Sequence, residues 1–172
     1  AASDVYKRQV AGTGPEDQLA TFNRLMAELD VRDRIIYRGA LKDTELRAHY
    51  QQASVFMMTS RWEGMPLVMG EAMTMGLPIV SMWNTGSAEY LQGGQYGVLT
   101  PARDVNALIT GLMPLLTDFD CRAEYAARAR QRSHDFTLSK IVRQWLALLN
   151  RQYVPQTVVE SNWPADLSSG GH

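Results

Sequence analysis

The chain has 172 residues, of which 45% are hydrophobic, and a formal net charge of −1. This length suits one compact domain, and the near-neutral charge excludes binding to nucleic acid or anionic membranes through a general basic excess. The single Cys121 excludes an intramolecular disulfide and a multi-cysteine metal site. With no signal peptide and no apolar run long enough to span a bilayer, we expect a cytoplasmic protein.

Segments typical of strands and helices alternate along the chain. In order, they are a glycine turn at Gly12 and Gly14, a helix through Leu19, Phe22, Met26 and Leu29, a strand at 34–38, a helix from Asp43, a strand at 54–59, a helix at 67–75, a strand at 78–82, a short helix at 87–91, an edge strand at 97–100, a helix at 105–116 and two closing helices, the last from 138 to about 153. This alternation predicts an α/β fold with a Rossmann-like, doubly wound parallel sheet.

The most informative segment runs from Thr59 to Pro78, TSRWEGMPLVMGEAMTMGLP, and places seven residues between Glu63 and Glu71. It predicts a polar turn that leads into a helix, with Pro66 at the start and Gly76 at the stop. The free N–H groups and the dipole at such a helix start can bind a diphosphate. Glu71 would lie about 6 Å further along the axis, where a carboxylate can accept hydrogen bonds from a sugar diol. The geometry indicates a nucleotide sugar, although solvated surface glutamates would give the same pattern.

The segment EGMPLVMGEAMTMGLP resembles the Glu-x7-Glu signature of the retaining GT-B glycosyltransferases of family four, also called glycosyl transferases group 1. Further matches follow the family's order at VAGTGP (10–15), RIIYRGALKDTELRAHYQQASVFMMTS (34–60), NTGSAEYL (84–91) and YGVLTPARDVNAL (96–108), so that the resemblance covers roughly residues 10–150. It implies the C-terminal, donor-binding half of a GT-B enzyme. The implied reaction moves a hexose from a UDP- or GDP-sugar to a glycan or lipid-linked acceptor, without a metal.

The resemblance also implies roles for individual residues. Glu63 would orient the transferred sugar as the catalytic carboxylate, and Glu71 would hold the ribose diol. The remaining implied donor-binding residues are Gly12, Gly14, Leu41, Gly64, Met65, Leu67 and Val68, mostly through backbone groups. Asp43 has two readings, a helix cap or a group that distinguishes the bases. Glu89 is expected to serve as a structural hydrogen-bond partner at least as much as a ligand contact.

The first nine residues depart from the family pattern. The family places an apolar strand before the glycine turn, whereas this chain has Lys7, Arg8 and Gln9, which do not suit a central parallel strand. We therefore expect residues 1–9 to be a foreign or truncated leader, 10–153 to be the nucleotide-sugar-binding domain and 154–172 to be a disordered tail. We expect the acceptor half, and the Arg and Lys that neutralise the diphosphate in the family, to lie outside this sequence. Any contact with the inner membrane face would come through that missing half.

Two questions stay open at this stage. The first is whether the chain is instead a non-catalytic nucleotide-binding or partner-docking module; a nucleotide-sugar epimerase on the same fold is a weaker alternative. The second concerns the last helix, whose broad apolar face includes Ile141, Val142, Trp145, Leu148 and Leu149. That face either packs in this domain's own core or covers the other half of the enzyme, as the final helix of the family does.

Overall fold

A computed structural model of the protein describes residues 7–150, and the following bounds refer to that part of the chain. Strands and helices alternate as β1 (Arg8–Ala11), α1 (Glu16–Glu28), β2 (Ile35–Gly39), α2 (Asp43–Gln52), β3 (Phe56–Met58), α3 (Leu67–Thr74), β4 (Ile79–Met82), α4 (Thr85–Leu91), β5 (Val98–Thr100), α5 (Val105–Thr117), α6 (Phe119–Ser133) and α7 (Leu138–Asn150). Most of the predicted elements agree with these bounds to within two residues.

The strands form two hydrogen-bonded sheets, one in the order β1-β2 and one in the order β3-β4-β5. All three strand pairs in these sheets are parallel. Parallel neighbours need a crossover, and in every case the crossover contains a helix. The predicted α/β class is therefore confirmed. β5 pairs with β4 alone, as the prediction of an edge strand requires.

The beginning of β1 is polar, and the structure shows why this is tolerated. Arg8 and Gln9 pair with Ile35 and Ile36 of β2, and both are exposed. The Gln9 side chain also accepts a hydrogen bond of 3.1 Å from Nε of Arg38. Because these two residues are exposed, they do not have to be apolar as in a sheet covered on both sides. Two residues of the expected leader thus belong to a strand, residues 1–6 lie outside the described part, and the origin of the leader stays a prediction.

The core of the second sheet is built around β4, in which Ile79, Val80 and Ser81 are completely buried. Val80 packs with Leu108 and Leu115 of α5. Towards α4, the hydroxyl of Ser81 donates a 2.8 Å hydrogen bond to that of Ser87. Because successive side chains of a strand point to opposite faces, β4 is covered by helices on both sides, and the prediction of a buried strand is confirmed.

The ends of three helices test the local sequence signals. α3 starts after Pro66 and is followed by Gly76 at a φ of +72°, as predicted. Asp43 is not the N-cap of α2: that position is Lys42, whose N–H donates 3.1 Å to the Glu45 carboxylate. α4 begins at Thr85 rather than Ser87, because Asn84 caps it and thereby extends the helix towards β4.

The chain divides into two compact units between His134 and Asp135. In the second unit, α7 is amphipathic. Nζ of Lys140, in its first turn, lies 2.7 Å from Oδ1 of Asp135, which precedes the helix. Ile141 is half-buried, and the other residues of the apolar face are exposed, with Trp145 at 59% and Leu149 at 72%. The predicted tail, 154–172, lies outside the described residues. No helix within 7–150 combines the length and hydropathy needed to cross a bilayer.

We predict that Leu115→Ala lowers the free energy of unfolding by about 3 kcal/mol, because it leaves a cavity beside Val80 in a site with no exposed surface. Ile109→Ala, on the same helix but 52% exposed, should change it by less than about 0.5 kcal/mol. Urea denaturation of both variants measures the difference. Equal losses would contradict the assignment of the core to this face of α5.

Candidate active site

The loop between β3 and α3 carries Glu63, which is half-buried, and it is fastened to the start of α4. The carbonyl of Glu63 accepts a 2.9 Å hydrogen bond from the N–H of Gly86. Three residues earlier, the carbonyl of Ser60 accepts 3.1 Å from Nδ2 of Asn84. Two attachments on the same neighbouring segment restrict the backbone on both sides of the turn, so that the position of Glu63 depends on α4.

Asn84 is itself held by a buried polar network. Its Oδ1 accepts a 2.8 Å hydrogen bond from the N–H of Ser87, while its amide donates to the β3–α3 loop. Asn84, Ser81 and Ser87 are at most 2% exposed. Unpaired polar atoms at such depth would be costly, whereas here each side chain has a partner, and the network therefore stabilises one loop conformation.

Gly86 also makes a close approach that no other residue type could make. A Cβ at this position would lie 2.6 Å from Cδ of Pro66, 2.8 Å from the Gly64 carbonyl oxygen and 2.9 Å from that of Glu63. These separations are shorter than any normal contact to a methyl group, so a larger residue would force the loop or α4 to move. Gly86 is thus a structural requirement of the Glu63 loop.

The N-terminus of α3 is open at its first turn. Pro66 occupies the N-cap and has no side-chain acceptor, and its carbonyl accepts a 3.0 Å hydrogen bond from the N–H of Met69. The N–H groups of Leu67 and Val68 are the ones that a helix start leaves without an intrahelical partner. Their residues are 70% and 44% exposed. An anion can therefore reach N–H donors at the positive end of the helix dipole.

Glu71 lies one turn further along α3 and is exposed, yet one of its oxygens has an internal partner. The hydroxyl of Tyr50, from α2, donates to Oε2 of Glu71 at 3.0 Å. Burial and the bonded Glu71 carboxylate raise the pKa of Tyr50 well above its ordinary value. The phenol therefore keeps its proton, and its ability to donate to Glu71, to a higher pH than an exposed tyrosine does.

Gly70 lies inside α3, where glycine lowers helix stability, and its presence is explained by a second tyrosine. A Cβ at Gly70 would come within 3.1 Å of the hydroxyl oxygen of Tyr90 on α4. Gly70 therefore permits α3 and α4 to pack closely beside Glu71. Burial and the nearby charge of Glu89 raise the pKa of Tyr90. The side chain of Glu89 is exposed, and its backbone carbonyl accepts a 3.0 Å hydrogen bond from Nη2 of Arg132.

The glycine turn and the β2–α2 loop form a second group, at the carboxyl ends of β1 and β2. The N–H of Gly12 donates 2.8 Å to the carbonyl of Gly39, and the hydroxyl of Tyr37 donates 2.8 Å to the carbonyl of Gly12. Gly12 has a φ of +131°, which favours glycine, whereas a Cβ at Gly14 would meet only Oε1 of Gln18, at an ordinary contact distance of 3.9 Å. A cavity of about 240 Å³ lies here, lined by Val10, Ala11, Gly12, Thr13, Gly14, Gln18, Leu19, Phe22 and Tyr37.

The predicted site residues therefore occur in two separate segments of the fold. Glu63, Gly64, Met65, Leu67, Val68 and Glu71 belong to the β3–α3 unit, whereas Gly12, Gly14 and the half-buried Leu41 follow β1 and β2. Within residues 7–150, no hydrogen bond joins the two groups directly. The described part also contains no group of three or more His, Cys, Asp or Glu side chains able to hold a metal.

Sequence reasoning missed three residues that shape this site: Tyr50, Asn84 and Gly86. Asn84 carried a usable signal, since an asparagine directly after a strand is a typical N-cap. Tyr50 lies in the helix that was predicted from Asp43, but no role in the site was assigned to it. No local pattern indicates that its hydroxyl reaches a carboxylate 21 positions later, or that Gly86 contacts the Glu63 loop.

Comparison with known proteins identifies the family. Residues 2–118 match the model described as Glycosyl transferases group 1. The chain belongs to the glycosyl transferases group 1 family. It is 31% identical, over 153 residues, to the putative colanic acid biosynthesis glycosyltransferase WcaL of Salmonella typhimurium. It is also 31% identical, over 116 residues, to the GDP-mannose-dependent alpha-(1-6)-phosphatidylinositol monomannoside mannosyltransferase of Mycolicibacterium smegmatis.

The solved structures show the same fold. HepE of Anabaena in complex with UDP superimposes with a TM-score of 0.76 at 22% identity, over 84% of this chain and 40% of HepE. The α/β fold with parallel sheets is thus that of the GT-B glycosyltransferases. The chain spans only about a third of the length of these relatives. The alignment with WcaL includes 84% of this chain but 37% of WcaL, and the alignment with the mycobacterial enzyme includes 63% of this chain but 30% of that enzyme.

We predict that Gly86→Ala displaces the Glu63 loop and lowers the free energy of unfolding by about 2 kcal/mol, because the added methyl group overlaps two carbonyl oxygens and Pro66. Gly64→Ala is the matched control, since a Cβ there meets nothing within 4 Å. Amide chemical shifts of residues 60–66 and urea denaturation provide the two measurements. If the two variants behaved alike, the close approach of α4 to the loop would be disproved.

Proposed function

We propose that this chain is the C-terminal, donor-binding half of a retaining glycosyltransferase. The complete enzyme transfers a hexose from a UDP- or GDP-sugar to a glycan or lipid-linked acceptor. The missing N-terminal half supplies the acceptor site and any peripheral contact with the inner membrane face. Alone, the chain binds the donor nucleotide and transfers little or no sugar.

The observation that carries this proposal is the arrangement around α3: an open helix N-terminus lies between Glu63, in a fastened loop, and Glu71, one turn into the helix. A diphosphate fits the N–H groups of Gly64, Met65, Leu67 and Val68, because these residues are exposed and the helix dipole favours negative charge there. Family membership supports the same ligand class.

The two carboxylates have different roles in this proposal. Glu71 accepts hydrogen bonds from the ribose diol, and Glu63 accepts them from hydroxyls of the transferred sugar and thereby orients its anomeric carbon. Leu41 meets the base through its backbone, and the turn at Gly12 and Gly14 approaches the cleft. The donor is either a UDP- or a GDP-sugar: HepE was solved with UDP, and the mycobacterial relative is GDP-mannose-dependent.

Metal independence is part of the proposal. The N–H groups at the start of α3 stabilise part of the charge that develops on the leaving diphosphate. Cationic side chains from outside the β3–α3 segment stabilise the remaining charge. In terms of chain organisation, the donor-binding domain includes β1 and therefore begins at or before Arg8. Cytoplasmic localisation follows from the nucleotide-sugar donor and stays a proposal.

We expect nucleotide binding to be measurable by NMR titration of the isotope-labelled chain with UDP, GDP and NAD. Shifts from UDP or GDP should cluster at Leu41 and residues 64–71, and Glu71→Ala should weaken binding about tenfold, since it removes a charged hydrogen-bond acceptor. Glu28→Ala, an exposed change on α1, is the charge-matched control. If the folded chain responded to none of the nucleotides, a docking module would be favoured instead.

In the full-length enzyme, Glu63→Ala should lower the rate of transfer by about 100-fold while the affinity for UDP or GDP changes less than about twofold, because Glu63 orients the sugar and not the nucleotide. Single-turnover kinetics and nucleotide titration separate these effects. Glu124→Ala, on the exposed surface of α6, serves as the control. Unchanged transfer would remove the role assigned to Glu63.

A further inference from the structure

Tyr50 occupies a position that fixes its ring. It belongs to the last half of α2, is 9% exposed, and packs against Phe56 of β3 with ring centroids 6.3 Å apart. A buried aromatic side chain between a helix and a strand has little rotational freedom. Its hydroxyl oxygen is therefore held at a defined place relative to α3.

The hydroxyl has two acceptors on α3, Oε2 of Glu71 at 3.0 Å and the carbonyl of Val68 at 3.3 Å. A phenol has one proton to donate, and the bond to the carboxylate is both shorter and charge-assisted. The proton therefore goes to Glu71, and Tyr50 ties the Glu71 side chain of α3 to a buried ring on α2. No motif of the sequence predicted this link.

A glutamate on a helix surface samples many rotamers, and ordering it costs free energy each time a ligand binds. With one oxygen held by Tyr50, the carboxylate of Glu71 keeps its other oxygen and further lone pairs for hydroxyl donors. Ordering before binding removes part of the cost, and this is how preorganised groups gain affinity.

We propose that Tyr50 is a positioning residue that preorganises Glu71 for a nucleotide with free ribose hydroxyls, and so determines selection of ribonucleotides over analogues without them. The inference rests on the proposed function, because it assigns the ribose to Glu71. Tyr50 itself need not touch the ligand. Its contribution acts through a single hydrogen bond, which the Phe variant removes without removing the ring.

The test compares the wild-type chain with Tyr50→Phe in titrations with UDP and GDP and with the 2′,3′-dideoxy form of each. For the base that binds, Tyr50→Phe should weaken the ribonucleotide about tenfold and leave the dideoxy analogue unchanged. In a Glu71→Ala background, which removes the carboxylate that accepts from Tyr50, Tyr50→Phe should have less than a twofold effect. Tyr125→Phe, in a core cluster on α6, is the matched control and should preserve the ratio of the two affinities.

If Tyr50 had a purely structural role, Tyr50→Phe would weaken binding of the ribonucleotide and of its dideoxy analogue equally, and this outcome would overturn the proposal. The proposal would also be overturned if the losses of binding free energy from the Tyr50 and Glu71 substitutions were additive in the double variant. A ligand-free measurement decides the case in which no nucleotide binds and the proposed function fails. In that measurement, Tyr50→Phe should shift the ¹³Cδ resonance of Glu71 and increase the mobility of its side chain. An unchanged resonance and mobility would show that Tyr50 does not position Glu71.

Discussion

The candidate site depends on the attachment of the β3–α3 loop to the start of α4. Fixing the eight loop residues 59–66 costs conformational entropy on the order of 10 kcal/mol, and a single hydrogen bond recovers only about 1 kcal/mol. The bond from Gly86 to the Glu63 carbonyl is effective because it is combined with the amide of Asn84 and with the packing of Gly86 on Pro66. Each contact lowers the entropy that the next one must overcome.

The same attachment relates the site to the core. Asn84 follows β4 directly, and β4 is the most deeply buried strand of the β3-β4-β5 sheet. The Ser81–Ser87 bond connects that strand to α4, and α4 in turn contacts α3 beside Gly70. The loop, the N-terminus of α3 and Glu71 are therefore all held in place by β4, through Asn84 and α4. Precise sites require such support, because loops alone do not hold a side chain accurately enough.

Local patterns in the sequence were sufficient for the elements and for part of the site. Pro66 and Gly76 marked the ends of α3, and the apolar run 78–82 marked β4, because these signals act within one turn or one strand. The predicted start of α4 was wrong by two residues, because the capping signal of Asn84 was not used. Tyr50 and Gly86 act over 18 to 23 positions, and such contacts are created by the fold rather than by local sequence.

Electrostatics explains why this unit would orient a donor better than it would neutralise one. A helix start offers about half a unit of positive charge, whereas Glu63 and Glu71 place two carboxylates on either side of it. A diphosphate bound there is favoured by N–H donors and opposed by like charge. Carboxylates are favourable at such a place only if they face hydroxyl groups of the ligand. Hydrogen bonds from those hydroxyl groups offset part of the free energy that the carboxylates lose when water is removed from them. The arrangement is therefore suited to accepting hydrogen bonds from hydroxyl groups such as those of ribose and sugars, which is the role that the proposed function gives to Glu63 and Glu71.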